Sequence, residues 1–437
     1  MARPDDLAPA TAGSAADPTD PGSRAPTARA DVLFAGGGMV GLTLACALAR
    51  AGLEVAVIDR ETPAEVASLS YDGRASAIAL GSKRVFEQIG LWARIEEEAS
   101  PIWDIRVADG HPLRGVSPLF LHYDHAEVGT DPFGWIIENR VIRQGLHALA
   151  ADLSRQTGRL HLMAPAGVER IERGPAVARA HLADGRVVAA DLAIAADGKF
   201  SRQREAAAIK TTGWTYDQVS IVCTVRHERS HEGTAVELFL PGGPFAMLPM
   251  TENRSNVVWS ENKDLAPRFL AMDDAAFLSE LKTRFGDWLG EIELAGPRFS
   301  YPLSLSHAET YTARRFALIG DAAHAIHPIA GQGLNMGLRD VAAMAEVLVD
   351  ARRLGLDVGS ASTLKDYERW RRFDNVLLAG VTDALTRLFS NDVAPLRLAR
   401  DVGLAAVDRT PPAKQFLMRH AMGVVGDLPR MVRGEPL

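Results

Sequence analysis

The chain has 437 residues, 47% of them hydrophobic and 24% charged, and a formal net charge of −7. That length suits two to three domains, and that balance excludes long-range disorder, a collagen-like or coiled-coil chain, and a nucleic-acid binder with an overall basic surface. No run of uncharged apolar residues reaches the roughly 18 of a transmembrane helix, and only two cysteines, Cys46 and Cys223, fit a reducing compartment better than a disulfide scaffold.

Residues 1–29 are rich in Ala, Pro, Asp, Ser and Thr and are expected to form a disordered tail. They lack the apolar stretch of a secretory signal, and Asp5, Asp6, Asp17 and Asp20 argue against a transit peptide. From Asp31 the pattern changes. Asp31–Ala35 is a short apolar run that predicts a buried strand. Gly36, Gly38 and Gly41 follow in the spacing Gly-x-Gly-x-x-Gly. Leu42–Arg50 predicts a buried helix, and Glu54–Asp59 a second strand. Asp59 stands at its end, 18 residues after Gly41. Glycines there allow a tight turn and let a pyrophosphate approach the backbone, while the helix start offers free N–H groups and a positive dipole end. The pattern indicates a dinucleotide and does not distinguish NAD from FAD.

A second strand-to-loop unit runs from Asp191 through Ala196 into Asp197-Gly198, which alone is as readily an ordinary turn. In Val219–Val225 the odd-numbered residues are apolar, which predicts a half-solvated antiparallel strand. Further strands are predicted at Ala235–Leu240, Phe245–Leu248 and Asn256–Trp259. Asp274–Phe285 predicts an amphipathic helix with Phe277, Leu278, Leu281 and Phe285 on one face. A third unit runs from Arg315–Ile319 into Gly320-Asp321 and on through His324, His327, Gly331, Gln332, Gly333, Leu334 and Asn335. Asp321 at a strand end suits a sugar-like hydroxyl. The helix starting near Leu334–Asn335 would stabilise negative charge on a ring placed against it. Most of 363–425 predicts further helices.

These motifs, in this order, resemble the class A FAD-dependent monooxygenases, whose fold is that of para-hydroxybenzoate hydroxylase. Within them the chain is most similar to the ubiquinone-biosynthesis hydroxylases, through the stretches Tyr71–Leu80, Ile137–Arg140 and His327–Asp340. The resemblance implies an α/β fold in which a Rossmann-like FAD-binding domain is interleaved with a β-sheet substrate domain, followed by C-terminal helices. The expected division is FAD-binding domain 30–100, 134–204 and 301–353; substrate domain 101–133 and 205–300; helical region 354–437.

By the same resemblance, Gly36, Gly38 and Gly41 wrap the FAD pyrophosphate and Asp59 holds the adenosine ribose. Arg74 lies near the pyrophosphate or the flavin, and Arg140 reaches the FAD linker. Asp197 serves both FAD and the nicotinamide cofactor. Gly320-Asp321 meets the ribityl chain, and Gly331, Gln332, Gly333, Leu334 and Asn335 face the flavin ring. NAD(P)H is implied as a transient reductant, O2 as co-substrate, and a polyprenylphenol as the ring hydroxylated. A small soluble phenol, or a flavin-bearing subunit that does not turn over, are the alternatives. No metal site is indicated.

No residue stands out as the catalytic base. His324 and His327 qualify by location, although a structural role suits both better; Tyr216, Tyr301 and Glu237 are weaker. Phe245, Met247, Pro249 and Trp259 are candidates for an aromatic pocket, though such residues are more often core. From Arg352 to Leu437 the net charge is +4, so these helices are a candidate for peripheral contact with an anionic membrane. The expected location is cytoplasmic or peripheral at the inner face of a membrane, with other ubiquinone-biosynthesis proteins as candidate partners and no nucleic acid.

Overall fold

A computed structural model describes residues 26–112, 115–327, 331–390 and 393–437. The predicted tail lies outside the described residues up to position 25, and the first strand begins at Ala28. Five strands form the parallel centre of one sheet, in the order Phe316–Leu318, Val187–Ala195, Ala28–Ala35, Val55–Ile58, Leu160–Met163. Parallel strands covered on both faces read as continuous apolar runs. Val32, Leu33 and Phe34 are accordingly fully buried. The helix Met39–Arg50 leaves the end of the first strand and packs against the helices Asn139–Thr157 and Gly333–Arg353.

A second, mainly antiparallel sheet of nine strands draws on three separate stretches of chain: 104–124, 211–262 and 292–325. The two sheets therefore alternate along the sequence, as the resemblance implied. The strand Phe299–Ala308 runs across the expected 300/301 boundary and stays in the second sheet, because it pairs with Thr211–His227 from Val222 back to Thr211. The helix Asp274–Phe285 covers one face of this sheet, capped by Asp273, whose side chain accepts from the Ala276 N–H at 2.8 Å. Beneath it Phe277, Leu281, Phe245 and Trp259 form a core.

The expectation of a half-solvated strand at Val219–Val225 fails. Ser220 through Val225 are buried on both faces. Ile221, Cys223 and Val225 enter the core under the helix. On the other face Thr224 bonds the Tyr71 hydroxyl, and Asn256 from the next strand donates to the Gly73 carbonyl at 2.9 Å. Alternation thus marks an apolar face and a polar face that meets protein instead of water.

A small third sheet, Ala75–Ala79 with Gly134–Glu138 and Ser100–Ile102, connects the two large ones. Three helices follow near the C-terminus, Ala361–Phe389, Ala394–Asp408 and Pro411–Ala421. The last residues return to the first domain: the Arg430 N–H donates to Glu346 at 2.6 Å, and Gln88 donates to the Gly434 carbonyl at 2.8 Å. Among the described residues no helix is long and apolar enough to cross a membrane.

Candidate active site

A cavity of about 580 Å³ lies where the sheets meet. One side is the end of the parallel sheet. Gly38, Met39 and Val40 line it from the start of the first helix, Asp321 from a strand end, and Gly331 to Asn335 from the start of the Gly333–Arg353 helix. Neither helix start is closed by a side-chain cap, and neither first turn carries an acid. Two sets of backbone N–H groups and two positive dipole ends therefore converge on one space. Arg74 and Lys199 add positive charge there.

The glycines do three different things. Gly36 has φ +106°, and a Cβ on it would stand 2.5 Å from the Ala196 carbonyl oxygen. A Cβ on Gly41 would stand 2.4 Å from the Gly36 carbonyl oxygen. These two permit close packing. Gly38 and Gly333 are different: a Cβ on either meets nothing within 4 Å. Both face the cavity, so a side chain at either would occupy cavity space. Gly37, which the sequence pattern leaves open, is tightly held too: its N–H donates to the Asp59 carboxylate, and a Cβ on it would stand 2.9 Å from that carboxylate. Asp59 also accepts from the Glu61 N–H at 2.8 Å.

Asn335 is buried and stitches the second helix to the third sheet. It accepts from the Ala79 N–H at 3.0 Å and donates to the Ala77 carbonyl at 2.8 Å. Gly331 has φ +61° and packs on Ala77. Asp321 reaches open space at the cavity while protein packs round it. That desolvation raises its pKa above the usual carboxylate value, and His324 and Lys199 act in the opposite sense.

Several expected residues stand elsewhere. Gly320 is buried behind the cavity wall, with its N–H donating to Asp340 at 3.1 Å. Asp197 is exposed, outside the cavity lining, and accepts from the Gln203 N–H at 3.3 Å. Arg140 turns back to Glu138 at 2.5 Å, because Glu138 is buried and bonds Arg254 as well. Its neighbour Asn139 lines the cavity instead, held by the Ser76 hydroxyl at 2.6 Å. The sequence signal for Asn139 was its place at a strand-to-helix junction. Pro328, Ile329 and Ala330, within the His327–Asp340 stretch, lie outside the described residues.

The other side of the cavity is the second sheet, through Ala235, Glu237, Ala246, Leu248, Val258 and Ser260. Phe245, Met247 and Trp259 are not in this wall. Side chains alternate across a strand, and these three point into the opposite core. Pro249 is buried and also absent from the wall. Tyr301 is absent too, donating to the Asp72 carbonyl at 2.8 Å. Tyr216 stands behind the wall, its hydroxyl 2.7 Å from Asp383 and its ring edge-on to His327 at 5.1 Å.

The two histidines separate cleanly. His324 is 2.5 Å from Asp340 in a buried network and is structural. His327 lines the cavity and is fully buried. Desolvation lowers its pKa to about 4, with Asp383 acting in the opposite sense, so it is neutral at physiological pH.

Residues 29–373 match the family model described as FAD binding domain. The chain is 52% identical over 411 residues to ubiquinone hydroxylase UbiL of Rhodospirillum rubrum, covering 93% of this chain and 94% of that protein. It is 33% identical over 402 residues to the 3-demethoxyubiquinol 3-hydroxylase of Escherichia coli, covering 90% and 98%. Among solved structures it is similar to p-nitrophenol 4-monooxygenase PnpA of Pseudomonas putida, with a TM-score of 0.74 at 20% identity over 91% of this chain and 99% of that one.

Proposed function

This chain belongs to the FAD-binding-domain family of FAD-dependent monooxygenases, and from that premise we propose that it hydroxylates the ring of a polyprenylphenol intermediate in ubiquinone biosynthesis, with NAD(P)H as transient reductant and O2 as co-substrate. The observation that carries the reading is one cavity with two unlike walls. One wall presents two uncapped helix starts and two side-chain-free glycines; the other presents an apolar sheet face with few polar groups.

The residues of the first wall fit FAD. Gly36, Gly37, Gly38 and Gly41 would hold the pyrophosphate at the first helix start, with Asp59 on the adenosine ribose. Asp321 would hold the ribityl hydroxyls, and Arg74 and Asn139 would flank the chain between. Arg140, Asp197 and Gly320 would act by shaping the turns that these groups need. Gly331, Gln332, Gly333, Leu334 and Asn335 would present backbone N–H groups to the ring's pyrimidine edge, where negative charge accumulates on reduction. FAD supplies the hydride acceptance and oxygen activation; the chain supplies position, a dry enclosure and a hydrogen-bond acceptor for the phenol. His327, neutral and buried in the cavity wall, is suited to accept a hydrogen bond from the phenol; with its pKa lowered to about 4 it is too weak a base to take the proton outright.

The test is mass spectrometry of quinone-pathway lipids in cells lacking this chain. Loss of ubiquinone with accumulation of a prenylphenol short of one ring oxygen is the expected result. An unchanged quinone profile would move the reaction to a soluble phenol. Full complementation of such a strain by an Asp321→Ala variant would instead favour a role without turnover.

A further inference from the structure

The three C-terminal helices turn apolar side chains outward while burying polar ones. In Ala361–Phe389 the inward face carries Thr363, Arg371, Asn375, Thr382 and Thr386 beside the apolar Leu364, Tyr367, Ala379 and Phe389, all buried. Its outward face carries Phe373 (72% exposed), Leu377, Val381, Leu385 and Leu388. The next helix, Ala394–Asp408, buries Arg400 against Asp109 at 2.7 Å and turns Leu398 and Val402 outward. The third, Pro411–Ala421, buries Lys414 between Glu127 and Asp408 and exposes Phe416 and Leu417. Of 19 exposed large apolar side chains among the described residues, 12 fall between Phe373 and Leu417. An apolar surface gathered like this marks an interaction site.

Charge selects the occupant. Between Arg369 and Arg419, every exposed charged residue among those described is arginine: Arg369, Arg372, Arg387, Arg409 and Arg419. Asp374, Asp383, Asp401 and Asp408 are only partly exposed, and Asp374, whose side chain is the most open of those in ion pairs, is paired with the buried Arg371. Two of the arginines already have acidic neighbours, Arg369 with Asp366 at 3.5 Å and Arg387 with Asp383 at 2.8 Å. A second copy meeting this face through a two-fold axis would set arginine against arginine. An anionic bilayer offers apolar depth and negative headgroups together.

We propose that the outward faces of these three helices form the surface on which the protein docks to an anionic membrane. This rests in part on the reading of the substrate as a lipid-tailed phenol, and it adds a route. Ala421, at the end of the third helix, lines the cavity, and Met418 and Met422 beside it join the apolar cluster that contains Phe133 of the cavity wall. The third helix thus carries part of the docked face on its outer side and borders the cavity wall with its inner side and its end.

The experiment is flotation of the full-length, FAD-loaded protein with phosphatidylcholine vesicles, with and without phosphatidylglycerol. Binding is expected only with phosphatidylglycerol and should weaken with salt. Phe373→Asn/Leu377→Asn/Leu398→Asn should abolish it. Arg372→Gln/Arg409→Gln/Arg419→Gln, which leaves the apolar face intact, should weaken it by about fivefold per arginine. Retained FAD content and melting temperature establish that both variants are folded. Absence of binding, or binding unchanged in both variants, overturns the proposal. So does a concentration-dependent dimer, seen in sedimentation without vesicles, that the apolar variant removes. Vesicle binding is read without substrate, so it stands or falls separately from the ring chemistry.

Discussion

Asp340 is the side chain on which the site's framework converges, and its removal has a calculable effect. It is fully buried and accepts four hydrogen bonds: from His324 at 2.5 Å, the Gly320 N–H at 3.1 Å, Arg371 at 3.0 Å and Asn375 at 3.1 Å. Arg371 is itself 1% exposed. Breaking a buried pair from one side leaves an uncompensated charge and typically costs about 3–5 kcal/mol. Asp374 remains 2.9 Å from Arg371, so Asp340→Ala should fall at the lower end, about 3 kcal/mol. Guanidinium unfolding of the FAD-free protein, followed by circular dichroism, measures it. The double variant Asp340→Leu/Arg371→Met should recover much of the loss, because a buried pair replaced from both sides is often neutral. Burial alone would raise the pKa of Asp340; His324 and then Arg371 outweigh it and hold the group below the usual carboxylate range. A lowered carboxylate pKa contributes stability that is fully present above about pH 4 and is lost as pH falls further. That acid loss should be smaller in Asp340→Ala. A loss under about 1 kcal/mol, or acid unfolding identical to the parent's, would refute this account of the network.

Other outcomes follow from the same geometry. Gly38→Ala and Gly333→Ala should leave the FAD-free protein as stable as the parent and weaken FAD binding at least about tenfold, by fluorescence titration, since the added Cβ meets only cavity space. Gly36→Ala should instead destabilise the FAD-free protein, because φ is +106° and the Ala196 carbonyl is in the way. His327→Phe should slow hydroxylation by about tenfold while leaving NAD(P)H-dependent flavin reduction unchanged, in stopped-flow traces of the two half-reactions, the loss being that of one hydrogen bond to the phenol. His327 is held neutral, with its pKa lowered to about 4. Its contribution to stability is therefore lost as pH falls from about 6.5 toward 4, by up to about 3 kcal/mol, and His327→Gln should flatten that part of the pH–stability curve.

The glycine motifs and the acids at strand ends were legible because their requirement is local: a turn with positive φ, or a helix start left open, writes itself into a few adjacent residues. The interleaving of two sheets came from the resemblance and was confirmed by the strand pairing. What stayed hidden concerned direction. Period-two alternation at Val219–Val225 identified a strand but not that its polar face meets the Tyr71–Arg74 segment instead of water. The aromatics Phe245 and Trp259 were visible, yet the wall is built from their neighbours Ala246 and Val258, one residue away and on the other face. Asn139 and Arg140 are adjacent in the same way. The C-terminal helices carry the same lesson at larger scale. An apolar stripe at helical spacing ordinarily faces the core, whereas here Arg371, Arg400 and Lys414 are buried against acids, and a second apolar stripe, besides the buried Leu364, Tyr367 and Met418, is turned outward.

The most direct measurement supplies the purified, FAD-loaded protein with a prenylphenol, NADH or NADPH, and isotopically labelled O2, and reads the product by mass spectrometry. The account predicts one labelled oxygen on the ring for each reductant consumed. Reductant consumption that yields only hydrogen peroxide from every prenylphenol offered, with no labelled ring product, would contradict it.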